Sequence, residues 1–64
     1  MKDYGNAVRK VLAANGCYFV RRGKGDHDMW YSPISGKKVT VDGGIPSRHM
    51  ANEVLKQAGL KKQF

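Results

Sequence analysis

Apolar positions recur at helical spacing near both ends of the chain and alternate in the middle. Tyr4, Val8, Val11 and Leu12 fall on one side of a helix, with Ala7 beside them, while Arg9 and Lys10 fall on the other. The pattern predicts a helix over Tyr4–Asn15. Asp3 is placed to cap its start and Gly16 to stop it at the first position beyond its end. Gly5 weakens the first turn, by up to ~1 kcal/mol relative to Ala. Cys17–Arg22 is rich in strand formers, Gly23-Lys24-Gly25-Asp26 reads as a turn, and His27–Tyr31 reads as a second strand. A second turn occupies 32–36. Lys38–Asp42 then alternates, with Val39 and Val41 facing inward.

After the loop Gly43-Gly44-Ile45-Pro46, Ser47 has the chemistry of a helix N-cap. Met50, Ala51, Val54, Leu55 and Ala58 form the apolar stripe of a second helix. Gly59 ends it and Leu60 can fold back onto its last turn. Lys61–Phe64 reads as a short, frayed basic tail. The order is helix, three strands, helix. This predicts an α+β fold of the double-stranded-RNA-binding type. A three-stranded antiparallel meander carries two helices on one face and leaves the other for solvent or ligand. Trp30 and Tyr31 are strand neighbours, so they point to opposite faces; Trp30 is assigned to the core and Tyr31 to the surface.

Length and composition narrow this further. Sixty-four residues predict one domain spanning 1–64, with a modest core. A single cysteine, Cys17, excludes an internal disulfide and reads as a small buried hydrophobe. No Cys/His spacing indicates zinc, so no metal or small-molecule cofactor is expected. No apolar run approaches the ~20 residues of a membrane span, and the N-terminus lacks a signal-peptide pattern. A cytoplasmic protein with no membrane association is therefore expected. Twelve Lys and Arg against five Asp and Glu give a formal net charge of +7, spread along the whole chain. Such an excess points to nucleic acid, an acidic protein or an anionic surface.

The densest polar segment runs from Arg21 to Asp28. It combines Arg21, Arg22 and Lys24 with a glycine-flanked turn and His27 between Asp26 and Asp28. Arg and Lys neutralise phosphate, and glycine lets backbone approach it closely. Histidine suits proton transfer near neutral pH. The set fits RNA strand cleavage: a base takes the ribose 2′-hydroxyl proton while cations hold the charge developing on the phosphate. Arg21, Arg22, Lys24 and Lys38 are the candidate RNA-binding residues, with Lys37 beside Lys38. Asp26 and Asp28 are candidates to orient the imidazole. By itself the segment is equally a hairpin tip with solvated charges, and His49 reads as a helix-surface histidine.

Three stretches carry a family resemblance. They are Gly16 through His27 (Gly-Cys-Tyr-Phe-Val-Arg-Arg-Gly-Lys-Gly-Asp-His), Lys38-Val39-Thr40-Val41, and Leu55-Lys56-Gln57-Ala58-Gly59-Leu60. Together they resemble the HicA toxins of bacterial type II toxin–antitoxin systems. The resemblance implies a metal-independent endoribonuclease that cuts mRNA. It would use a single catalytic histidine, matched here by His27, and a HicB-type antitoxin would cover its active site. Asp26 stands where many members have Ser, and the Pro-x-His segment that many members carry after the third strand is absent. Two other readings compete with the nuclease: a non-catalytic RNA-binding module of the same fold, and an interaction module that only engages an acidic partner.

Overall fold

The computed structural model describes residues 3–25 and 27–64. It contains helix α1 (Gly5–Ala14), strands β1 (Tyr18–Arg22), β2 (Asp28–Ser32) and β3 (Lys37–Val41), and helix α2 (Arg48–Gln57). The strands form one antiparallel sheet in the order β1-β2-β3, as the pattern predicts. Val8 and Leu12 of α1 and Ala51 and Leu55 of α2 pack with Trp30, Val39 and Val41 into one core. Cys17 is buried and unpaired beside them. Among the described residues no helix is long and apolar enough to cross a membrane.

Local chemistry sets the helix ends. The Ser47 hydroxyl accepts from the Met50 amide at 3.1 Å, satisfying a first-turn donor of α2. Both helices close with the same arrangement. Gly16 and Gly59 adopt φ of +86° and +81°. The next amides, of Cys17 and Leu60, then reach back to the carbonyls of Leu12 and Leu55 at 2.9 and 2.8 Å. At the start of α1 the capping position is Tyr4, which makes no side-chain bond. Asp3, one residue earlier, supplies the acceptor instead. Its Oδ1 takes the amides of Gly5 at 2.8 Å and Ile45 at 3.0 Å, tying the helix start to the loop before α2.

Strand boundaries differ by one residue from the sequence expectation. β2 begins at Asp28 and runs through Ser32, which the sequence assigns to a turn. Ser32 is fully buried and its hydroxyl donates to the Ala58 carbonyl at 2.6 Å, so the polar side chain is satisfied inside the core. The tail also departs from expectation. Asn52 accepts from the amides of Gln63 and Phe64 and donates to the Phe64 carbonyl. The Phe64 ring meets Tyr4 edge-on at 5.4 Å. The C-terminus is thus docked against both helices.

Sheet register decides which residues share a face. Trp30 pairs with Val39 and Asp28 with Val41, all directed toward the helices. Tyr31 pairs with Lys38 and Met29 with Thr40, on the opposite, uncovered face. β1 lies at the sheet edge beyond the helices, and every one of its residues is exposed. A bulge at Val20 shifts the register, so Tyr18 pairs with Tyr31 but Arg21 pairs with Met29. Without the extra residue Arg21 would sit on the helical side; the bulge brings it to the open face.

Candidate active site

The β1–β2 hairpin positions His27. Gly25 takes φ of +70°, which favours glycine, and the Gly23 amide donates to the His27 carbonyl at 2.8 Å. His27 therefore stands just before β2 on a closed hairpin end. Its side chain is 45% exposed, open to solvent and not sealed in the core.

Asp42 faces it. Asp28 pairs with Val41, so one further step of the same register sets His27 opposite Asp42. The imidazole Nδ1 lies 2.7 Å from Asp42 Oδ1. The contact is close without the alignment of a hydrogen bond, and among the described residues Nδ1 has no other partner. The two ring nitrogens lie on different sides of the imidazole. With Nδ1 turned to Asp42, Nε2 points away from that carboxylate.

Arg9 braces this pair from beneath. Its Nη2 donates to the Asp42 carbonyl at 3.0 Å, and its Nε donates to Asp28 Oδ2 at 3.2 Å. Nη2 also lies 3.1 Å from the same Asp28 oxygen, with the two side chains 23% and 16% exposed. One guanidinium thus joins α1 to the start of β2 and the end of β3. Its fork supplies several donors in one plane, which a lysine would not. Gly5 makes room for it: a Cβ there would lie 2.8 Å from Arg9 Nη1.

Asp28 is not beside the imidazole. It sits on the helical side of β2, where Arg9 takes its carboxylate, and Asp42 occupies the position facing His27. Asp26 lies outside the described residues. Arg21 and Lys38 share the open face, whereas Arg22 pairs with Asp28 and Lys37 with Ser32 at the sheet margins. Lys24 is exposed in the hairpin turn. His49 is exposed near the start of α2, on a different element from His27. Arg9 and Asp42 escaped the sequence reading. Asp42 was discoverable by extending the strand pairing; Arg9 resembled an ordinary solvated helix charge.

Residues 5–60 match the family model described as HicA toxin of bacterial toxin–antitoxin. The chain belongs to the HicA toxin family. The match spans every helix and strand, so the hairpin carrying His27 and the Arg9–Asp42 brace lie within the family domain of this HicA toxin. No curated protein and no solved structure matches the chain at a significant level.

Proposed function

We propose that this HicA toxin is a metal-independent endoribonuclease acting on mRNA, with His27 as its catalytic residue and a HicB-type antitoxin as its inhibitor. The observation carrying this reading is the solvent-open His27 imidazole with a carboxylate 2.7 Å from Nδ1. Neutral imidazole accepts a proton at one nitrogen while the other holds its hydrogen. A carboxylate at Nδ1 favours the hydrogen there and stabilises the imidazolium that forms. Nε2 is then the base. It removes the ribose 2′-hydroxyl proton, the 2′-oxygen attacks the adjacent phosphorus, and the bond from phosphorus to the 5′-oxygen breaks, leaving a 2′,3′-cyclic phosphate and a 5′-oxygen that takes a proton from water. Arg21, Arg22, Lys24 and Lys38 would hold the phosphates of the bound strand. Asp42 acts through His27 as a positioning residue. DNA, lacking the 2′-hydroxyl, would not be cut.

The test incubates purified toxin with RNA in the presence of a chelator. His27→Ala is expected to lower cleavage by about 10²–10⁴-fold, the usual contribution of a positioned base. Asp42→Asn is expected to give a smaller loss, confined to kcat with RNA affinity and Tm unchanged, which a merely structural defect would not produce. Equal cleavage by the parent and His27→Ala, or none by either, would refute the assignment. Absence of cleavage by either would leave the non-catalytic RNA-binding reading in its place.

A further inference from the structure

The sheet face opposite the helices carries two tyrosines that the cleavage chemistry does not use. Tyr18 and Tyr31 are cross-strand partners with ring centroids 5.6 Å apart and planes inclined at 44°. Tyr18 is 55% exposed and Tyr31 beside it is half-buried. Along β2, Met29 and Tyr31 continue the column that starts at His27. Arg21 and Lys38 lie across from them on β1 and β3. Four residues of strand put Tyr31 about 13 Å from His27.

We propose that this open face is a stacking platform for unpaired bases, which makes single-stranded RNA the substrate form of the site. The proposal rests on RNA being the substrate. Three features argue for that occupant. Every base has a π-face, so aromatic rings give sequence-tolerant affinity of the kind single-strand binders use. The cations beside the rings match the backbone that accompanies those bases. Arg21 and Lys38 outnumber the carboxylate on this side, Asp42, so among the described residues the net charge around the tyrosines is positive. A duplex would not use the platform, because its bases are stacked on one another and its exposed surface is backbone and groove. A strand laid along β2 would hold bases on Tyr31 and Tyr18 while a ribose a few nucleotides away reaches His27. In-line attack needs a flexible backbone, and an unpaired strand supplies it.

The experiment measures binding of a short unstructured oligoribonucleotide by fluorescence anisotropy, in the His27→Ala background, over a range of salt. The variants are Tyr31→Leu, Tyr18→Leu and the matching Tyr→Phe changes. Each Leu variant is expected to lose about tenfold in affinity, within the range for one stacked base. The salt slope should stay unchanged, because no phosphate contact is removed. Each Phe variant should bind as its parent does. Tyrosine ring-proton shifts on RNA addition to the unsubstituted face give the same answer should a Leu variant fold poorly. Equal affinity for Leu and parent, or equal competition by duplex RNA, would overturn the platform. So would an effect of the Leu variants confined to binding an acidic protein partner. Cleavage by the parent, assayed in parallel, separates the two ideas. Cleavage indifferent to the tyrosines refutes the platform alone, and tyrosine-dependent binding without cleavage refutes the catalytic reading alone.

Discussion

Replacing Arg9 by Met removes the guanidinium but keeps most of the aliphatic stem. Two links are lost: the bond to the Asp42 carbonyl and the pairing with Asp28. Exposed ion pairs contribute about 0–1 kcal/mol. Breaking a fully buried pair costs about 3–5 kcal/mol, because the remaining charge is stranded. With side chains 23% and 16% exposed, the Arg9–Asp28 pair falls between these limits. A cost of about 2 kcal/mol follows, which in a chain of this size lowers Tm by roughly 8–16 °C. Thermal and urea unfolding followed by circular dichroism measure it. Arg9→Met and Asp28→Asn are also expected to be non-additive. Once Arg9 is gone, neutralising the stranded carboxylate with Asp28→Asn should recover about 1 kcal/mol relative to the sum of the single changes. The His27 ring resonances should move as well, since Arg9 holds the Asp42 backbone. A loss under about 0.5 kcal/mol, the level of an ordinary surface change, would refute the bracing role. A strictly additive double variant would do the same.

Two further outcomes concern the frame of the site. The amides of Ile45 and Gly5 donate to the Asp3 carboxylate and hold its pKa below the usual range. A depressed folded-state pKa contributes stability that is complete above the unfolded value of about 3.9. That stability is lost as pH falls through the folded value. Asp3→Asn should therefore flatten the acid limb of a Tm–pH curve without changing its shape above neutrality; an unchanged acid limb would count against the link. At Gly59 both φ and space oppose a side chain. A Cβ would meet Ile34 Cγ2 at 3.0 Å and Ser35 Cβ at 3.3 Å, whereas Gly36 (φ +67°) has nothing within 4 Å. Gly36→Ala should cost about 1–2 kcal/mol from left-handed backbone alone, and Gly59→Ala measurably more. Equal losses in parallel melts would show that the contact at Ile34 is immaterial.

The sequence by itself determined the element order, both glycine helix ends, the Ser47 cap and the inward positions Val39 and Val41. Each of these depends on residues within a turn or two of one another, or on a period of two, so local chemistry suffices. It also marked the Arg21–Asp28 segment as the place where cations and a histidine gather. The tertiary structure alone decided what surrounds His27. Asp26 and Asp28 are its chain neighbours, yet strand alternation sends Asp28 to the helical side. The carboxylate that reaches the ring comes from Asp42, across the sheet. Arg9 arrives from a helix 19 residues from Asp28 and 33 from Asp42 in sequence. The bulge at Val20 selects the face of Arg21, and the pairing of Tyr18 with Tyr31 assembles the aromatic surface. These relations depend on register and on how helices lie over the sheet, which are set by packing between distant segments and leave no trace in any short stretch of sequence.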